Sequence, residues 1–193
     1  MARTIGLSSE LEVVNSVLSV TGDAPVQSLD DTYQPVYIIR DMINTESRRL
    51  QTEGFWFNTE RGVELTTNQV TGTINVPFNI LKFEPSDTRY VLRGSEVYDK
   101  VERTNLITGP ITADLYLMMT FEQLPQSARE YLRTLCRIRY NNEYFGEQSI
   151  KGDLQADFQR AKTELDKEHI DNEKINIFEA QAVRNVAFKN RRG

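Results

Sequence analysis

The chain has 193 residues and a net charge of −5, and 39% of its residues are hydrophobic and 26% charged. This length suits one domain, or one domain with a large insertion, and the composition argues against the intrinsically disordered class. No run approaches the ~20 apolar residues of a membrane-spanning helix and residues 1–6 lack the apolar core of a signal peptide, so we expect a cytoplasmic protein with no membrane partner.

Two helices are predicted in the first 54 residues. Ser9 and Glu12 have the spacing of a capping box, in which each side chain accepts a hydrogen bond from a backbone amide of the first turn. A helix is therefore predicted over residues 9–21, with Gly22 as its left-handed end. A second helix is predicted over residues 32–53 from its apolar spacing. The predicted core residues of this pair are Leu11, Val14, Leu18, Ile39 and Ile43.

The hydrophobic period changes from about 3.6 to 2 after the second helix, which predicts strands. A hairpin is predicted from residues 55–57 and 63–66, with a turn at residues 59–62 and Trp56 in the core. The sequence Arg93-Gly94-Ser95 predicts a tight connection between two strands. The further strand candidates are residues 78–83, 89–92, 96–101 and 111–119.

An antiparallel pair of amphipathic helices is predicted after the strands, over residues 126–145 and 148–170. Its predicted core residues are Leu132, Leu135, Leu154 and Leu165, and Cys136, the single cysteine, is predicted to be a small core residue. The pattern predicts an α+β fold, in which a bundle of about four helices has a strand-rich insertion between its second and third long helices. The predicted domains are residues 1–54 with 120–175 for the bundle and residues 55–119 for the insertion.

The C-terminal residues 176–193 differ in charge from the rest of the chain. They hold four basic residues and one acidic residue, so the rest of the chain has a net charge of −8. We predict a basic C-terminal arm that is mobile in the free subunit and binds a partner, the alternative being a frayed terminus without a role. The predicted partner-binding residues are Phe178, Val183, Arg184, Val186, Phe188, Lys189, Arg191 and Arg192.

Few residues have the chemistry of a catalytic or metal site. His169 is the only histidine, and because no Gly-x-Ser-x-Gly motif accompanies it, an exposed helical position is favoured over a catalytic one. Asp153 and Asp157 have helical spacing, but nearby lysines and arginines favour a solvated mixed-charge face over a cation site. Residues 55–57 favour a hydrophobic lid over a base-stacking platform, which needs a positive groove. We therefore predict no enzymatic activity, no metal ligand and no cofactor.

Motifs in both halves of the chain carry a resemblance to a known family. They are Leu124-Pro125, Arg129-Glu130-Tyr131, Asn141-Asn142-Glu143-Tyr144-Phe145-Gly146, Leu154 and Ala161, together with Glu10-Leu11, Val14-Asn15, Leu18, Gly22, Pro25-Val26 and Gly54-Phe55-Trp56-Phe57-Asn58. In order and spacing they resemble the tail tubular protein A family, the head-to-tail adaptors of short-tailed phages. The last motif resembles the point at which a long helix ends in that family. The resemblance spans about residues 7 to 178 and is weakest between about 66 and 112.

The resemblance implies a structural virion protein of the phage tail, assembled in the host cytoplasm. It implies an adaptor subunit whose dodecameric ring connects the portal to the tail nozzle, helps to seat the tail fibres and lines the channel for genomic DNA. The implied partners are other copies of the chain, the portal, a nozzle protein of the tubular protein B type and the tail fibres, with DNA passing without sequence recognition. An acidic body fits a wall past which DNA slides, and it fits a contribution to solubility equally well. The alternative is a DNA-binding or packaging accessory protein, which the basic arm suggests.

Overall fold

The structure is a computed structural model that describes residues 6–30 and 32–189, with side chains described as far as Lys174. Its helices are α1 (Glu10–Leu18), α2 (Gln34–Glu53), α3 (Gln126–Tyr140) and α4 (Lys151–Lys189). Its strands are β1 (Thr59–Leu65), β2 (Ile80–Pro85), β3 (Tyr90–Arg93), β4 (Glu96–Asp99) and β5 (Ile111–Leu117). A short 3-10 helix covers Phe121–Gln123 and a π-helical turn covers Asn141–Phe145. Long helices with small antiparallel sheets confirm the predicted α+β class.

The described residues divide into two compact units. Unit 1 contains the residues up to Asn44 and those from Leu124 onward, and unit 2 is Thr45–Gln123. The division falls within α2, ten residues before the domain boundary that the sequence suggested. The last turns of α2 belong to unit 2 because the Gln51 side chain donates a hydrogen bond to the Met119 carbonyl at 3.1 Å and accepts one from the Met119 N–H at 2.7 Å.

Helix α1 begins at the predicted capping box. Ser9 Oγ accepts a hydrogen bond from the Glu12 N–H at 3.2 Å, and the Glu12 carboxylate accepts one from the Ser9 N–H at 2.8 Å. The helix ends at Leu18, earlier than the predicted residue 21. The following residues form turns whose N–H groups bond to carbonyls three residues back, and Gly22 has a φ of 78°. The glycine therefore ends the turns after the helix rather than the helix itself.

Polar side chains hold the start of α2 beside α1 in unit 1. The Asn15 side chain accepts a hydrogen bond from the Val26 N–H at 2.8 Å and donates one to the Val26 carbonyl at 3.0 Å. Arg40 Nε lies 3.1 Å from the Glu10 carboxylate. These contacts fix the connection between the two helices.

Helices α3 and α4 pack against each other in antiparallel directions, as predicted. Residues 130–134 lie near residues 157–164, whereas residues 138–142 lie near residues 151–155. The rings of Tyr131 and Phe158 have their centroids 5.3 Å apart in this contact. Helix α3 also packs against α1.

The ends of α3 and α4 differ from the predicted ends. Regular helix stops at Tyr140 rather than at residue 145, and one π-helical turn continues to Phe145 before Gly146, whose φ is 75°. Helix α4 runs to Lys189 rather than to residue 170. The apolar spacing used for prediction fades after Leu165, but no glycine or proline between there and residue 189 interrupts helix formation.

The burial of the predicted core residues varies between the elements. The buried ones are Val14, Leu18, Ile39, Ile43, Leu132, Cys136, Leu154 and Leu165. Leu11, Trp56 and Leu135 are half-buried. On α1 the fully covered face also includes Val13 and Val17, so Leu11 lies at the edge of that face. Helical periodicity identified the helices correctly. On α1, however, it placed the centre of the buried face about one residue from its observed position.

Unit 2 contains two antiparallel sheets. The first has the strand order β1-β5-β2, and the second is the β3-β4 pair. Arg93 pairs with Glu96, so Gly94 and Ser95 form the predicted tight connection, and Gly94 has a φ of 64°. The buried residues of unit 2 that cluster around these sheets are Ile74, Val76, Val97, Ile107, Ile111, Ala113, Leu115 and Leu117.

The predicted hairpin between residues 55–57 and 63–66 is wrong. Strand β1 begins at Thr59 and pairs with the distant strand β5. The residues predicted as a turn form an irregularity inside β1, where Gly62 has a φ of 63° and its N–H donates to Asp114 Oδ1 at 2.7 Å. A glycine inside a strand pattern was therefore the sign of a bulge and not of a turn.

Asn58 organises the turn that follows α2 in place of the predicted strand. Its side chain is buried, and its Nδ2 donates hydrogen bonds to the carbonyls of Gln51 at 2.8 Å and Leu117 at 3.0 Å. Its Oδ1 accepts a hydrogen bond from the Phe55 N–H at 2.9 Å. One asparagine thus satisfies three buried backbone groups from the helix end, the turn and β5.

Gly54 is required at this helix end for two reasons. Its φ is 87°, and a Cβ placed there would lie 2.1 Å from Cε1 of Tyr116. The aromatic residues after it contact one another, since the Phe55 and Phe57 rings stack with centroids 5.6 Å apart and Trp56 meets Phe57 edge-on at 5.1 Å. The motif used for the resemblance therefore has a direct structural explanation.

Candidate functional site

The chemistry of the described residues offers little for catalysis. Within them, no group of three or more His, Cys, Asp or Glu side chains is placed to hold a metal ion. His169 lies on α4 as predicted, but it is half-buried rather than exposed. Asp157 lies 3.3 Å from Arg137 and 2.6 Å from Arg160, so neighbouring arginines balance its charge. None of the described helices combines the length and apolarity needed to cross a membrane.

A shallow cavity of about 190 Å³ lies between α3 and α4. Its lining residues are Glu130, Arg133, Thr134, Asp157, Arg160, Ala161 and Glu164. Arg133 pairs with Glu130, and Arg160 pairs with Asp157. Small-molecule sites are usually larger and mainly apolar, so this internally paired groove does not have the character of a ligand pocket.

Arg129 fastens the N-terminal segment to the start of α3. Its Nε donates to the Leu124 carbonyl at 2.9 Å and one terminal nitrogen donates to the Ser8 carbonyl at 2.7 Å, while the side chain is buried. The Ser8 N–H donates to Gln126 Oε1 at 2.8 Å, and its hydroxyl donates to Glu130 at 2.9 Å. Apolar periodicity could not reveal this role, because an arginine on a helix is ordinarily assigned to the surface.

Exposed aromatic residues lie on unit 1. We call Tyr33, Tyr37, Tyr144 and Phe145 the aromatic face, and each is at least 40% exposed. The buried residue Tyr140 connects two parts of this face. Its ring centroid lies 5.1 Å from that of Tyr144, and burial followed by the nearby Asp23, Tyr33 and Tyr144 raises the pKa of its hydroxyl. No sequence pattern indicates this face, because its members come from segments about 110 residues apart.

Exposed aliphatic residues lie on neighbouring loops of unit 2. Val70, Val101 and Leu106, which we call the apolar tip, are exposed by 93%, 67% and 62%. The two loops that carry them are adjacent, because the Ile107 N–H donates a hydrogen bond to the Gly72 carbonyl at 3.0 Å. Single aliphatic residues in polar loops have no period, so no sequence pattern indicates this surface.

The predicted partner-binding residues of the C-terminal arm cannot be assigned contacts. The side chains of Phe178, Val183, Arg184, Val186, Phe188 and Lys189 lie outside the described residues, as do Arg191 and Arg192 entirely. The backbone of α4 includes the first six of these positions. Their role in binding stays a prediction.

Comparison with known proteins identifies the class of the chain. The family model for tail tubular proteins, named Tube, matches residues 11–175, which include most of both units. Tail tubular protein A of Klebsiella phage KP34 is 26% identical over 180 residues, which cover 92% of this chain and 95% of that protein. The exposed apolar surfaces described above suit a protein that works by assembly with other chains. The chain belongs to the tail tubular protein family and is a structural protein of a phage tail.

Proposed function

We propose that this protein is a head-to-tail adaptor without enzymatic activity. Its subunits form a dodecameric ring that connects the portal to the tail nozzle, helps to seat the tail fibres and lines the channel for the genomic DNA. Assembly takes place in the host cytoplasm. The observation that carries the proposal is the similarity to a tail tubular protein A over almost the full length of both chains.

The surfaces of the two units support a role in assembly. A ring subunit that also meets a portal and a nozzle needs several separate contact surfaces, and monomeric proteins rarely expose large apolar patches. The aromatic face, the apolar tip and the fully exposed Phe78 before β2 provide apolar side chains on different segments. The net charge of −8 outside the arm favours a channel wall that does not hold DNA through phosphate contacts.

The proposal assigns different roles to three parts of the chain. Residues 1–54 and 120–175 form one bundle of four helices, residues 55–119 form its insertion, and residues 176–193 reach a partner. Apolar residues in the arm alternate with four basic residues. Such a segment can bury its apolar side chains on the portal or on a neighbouring subunit while its cations pair with acidic groups there.

The assembly state of the purified full-length protein tests the proposal. We expect negative-stain electron microscopy and sedimentation velocity to show dodecameric rings when the portal protein of the same phage is added. A heterologous contact that closes by rotation produces such a ring. A stable closed dimer at high concentration, with or without portal, would contradict the proposal because it uses the surface that a ring needs.

A second experiment separates the adaptor from a DNA-binding accessory protein. In the full-length chain, Arg184, Lys189, Arg191 and Arg192 are changed to Glu together. The adaptor hypothesis predicts that this variant associates more weakly with portal rings and keeps an unchanged thermal unfolding midpoint. The accessory protein would be favoured if the unmodified protein binds duplex DNA in a salt-dependent way, and if the variant loses this binding but still associates with portal rings.

A further inference from the structure

The part of the aromatic face on the π-helical turn is held in place by hydrogen bonds of one buried side chain. Asn141 is fully buried, and its side chain donates to the Glu147 carbonyl at 3.0 Å and accepts from the Glu147 N–H at 3.1 Å. The turn between them carries Tyr144 and Phe145, and π-helical turns are frequent at functional sites. Because the backbone of this turn is already fixed, binding costs only the ordering of the exposed side chains themselves.

The rest of the aromatic face combines aromatic rings with acidic side chains. Tyr33 precedes α2, and Tyr37 follows four residues later, which places the two on one side of the helix start. Burial and then Asp23 raise the pKa of the Tyr33 hydroxyl, which hydrogen-bonds to that carboxylate. Asp41 is exposed on α2 one turn after Tyr37. The aromatic face therefore has carboxylates at its edge.

The apolar tip of unit 2 is also held on fixed loops. Each of its residues has its N–H bonded to the side chain of a residue two positions earlier, namely Val70 to Asn68 at 2.8 Å, Val101 to Asp99 at 2.8 Å and Leu106 to Thr104 at 3.1 Å. The backbone N–H groups of these loops are satisfied by nearby side chains, while their large aliphatic side chains are exposed to water. Such loops are suited to binding a partner and not to filling the core of unit 2.

The exposed charges beside the apolar tip are mainly basic. Lys100 and Arg103 are exposed on either side of Val101, and Arg103 has a φ of 56°, a left-handed conformation that residues other than glycine rarely adopt. Asp99 is buried and paired with Arg89, which also lies 3.9 Å from Glu102. The acidic groups of this loop are thus partly neutralised, whereas its two exposed cations point to an acidic partner surface.

We infer that the apolar tip of one copy of this chain docks on the aromatic face of the next copy, with Lys100 and Arg103 opposite Asp23 and Asp41. The inference rests on the proposed ring and specifies its contact. A heterologous interface needs two different complementary surfaces on every subunit. The tip and the face satisfy this, since they lie on different units, carry opposite charge and expose apolar side chains of the kinds found at interface centres.

Charge reversal in the full-length protein tests the contact. The variants are Asp41→Lys, Lys100→Glu with Arg103→Glu, and all three changes together. We expect each reversal to raise the protein concentration needed for half-assembly at least about tenfold, because like charges meet at every interface of the ring. The combined variant restores opposite charge at position 41 but leaves Asp23 acidic, so it should recover part of the assembly. Sedimentation velocity at low salt, with and without the portal protein, measures the effect.

Apolar substitutions provide an independent measurement. Val70→Ser and Tyr37→Ser remove exposed apolar area from the tip and from the face, so each should weaken assembly several-fold. Ile170→Ser removes similar exposed area from α4, and Lys162→Glu reverses an exposed charge there, so both serve as matched controls that leave assembly unchanged. Unchanged thermal unfolding in all variants establishes that folding is not the cause.

The possible results separate this inference from the proposed function. Rings that form normally in all the reversal variants, or a combined variant no better than the single reversals, would overturn the tip-to-face contact while leaving the ring intact. Reversals that weaken portal binding without affecting self-assembly would show that the surfaces meet the portal instead. A wild-type protein that stays monomeric even with portal would contradict the ring and with it the contact.

Discussion

Unit 1 and unit 2 reach a stable structure by different means. In unit 1 the long helices α3 and α4 bury leucines at helical spacing, and buried polar residues such as Arg129 and Asn141 act where segments begin or end. In unit 2 the strands are short, and buried side chains such as Gln51 and Asn58 bond directly to backbone groups of distant segments. Both units have an apolar core, and unit 2 adds to its core a few hydrogen bonds from buried polar side chains that connect segments far apart in the sequence.

The largest effect should come from placing a charge in the core of unit 1. Leu154→Asp removes a large apolar side chain that is 4% exposed and buries a carboxylate without a partner. We expect a loss of about 4 kcal/mol in the free energy of unfolding, measured by urea denaturation. Gln159→Asp on the exposed side of the same helix is the matched control and should change stability little. Equal stability of the two variants would show that this side of α4 is not core.

A smaller effect is expected from a methyl group at the end of α2. Gly54→Ala combines a positive φ with a Cβ that overlaps the Tyr116 ring, so we expect a loss of about 3 kcal/mol. Gly94→Ala is a matched control within the same unit, because its φ is also positive but no atom lies within 4 Å of the added Cβ. It should lose only about 1 kcal/mol. Equal losses in thermal unfolding would exclude the steric contribution of Tyr116.

The directional bonds of unit 2 can be tested at Asn58. Asn58→Ala leaves two carbonyls and one N–H buried without their partner, which should cost about 2 kcal/mol of unfolding free energy. Asn105→Ala removes one exposed hydrogen bond to Glu96 and should cost less than about 0.5 kcal/mol. Chemical denaturation of both variants compares a buried network with a surface bond. A similar small loss in both would mean that water replaces the Asn58 bonds.

The smallest expected effect concerns the acid sensitivity of unit 2. The Arg89 guanidinium, together with the N–H groups of Glu102 and Val101, holds the pKa of Asp99 below its ordinary value. Since the pKa is lower in the folded state, this carboxylate stabilises the fold above its unfolded pKa of about 3.9, and the stabilisation is lost as the pH falls through the folded pKa. Asp99→Asn should therefore flatten the decline of the thermal midpoint below about pH 4. If the thermal midpoint of the variant falls below about pH 4 as steeply as that of the wild-type protein, Asp99 does not make this contribution.

The sequence predictions were accurate where the interactions join residues close in sequence and failed where they join distant ones. The capping box of Ser9 and Glu12, the tight connection at Gly94 and the α3–α4 pair all depend on residues close in sequence, and all three are present. The hairpin at residues 55–57 failed because aromatic residues in succession resemble a strand whether or not a partner strand is near. The aromatic face and the apolar tip were missed because each brings together residues from separate segments.

By itself, the sequence determined the α+β class, the positions of the four helices and most of their buried residues, because helical periodicity and capping are local properties. It also determined the family through the order and spacing of its motifs. Only the tertiary structure decided that β1 pairs with β5, that Asn58 closes the turn after α2, and that Tyr33 lies near Tyr140. These features depend on hydrogen bonds and packing between residues about 45 to 110 positions apart, which no local pattern encodes.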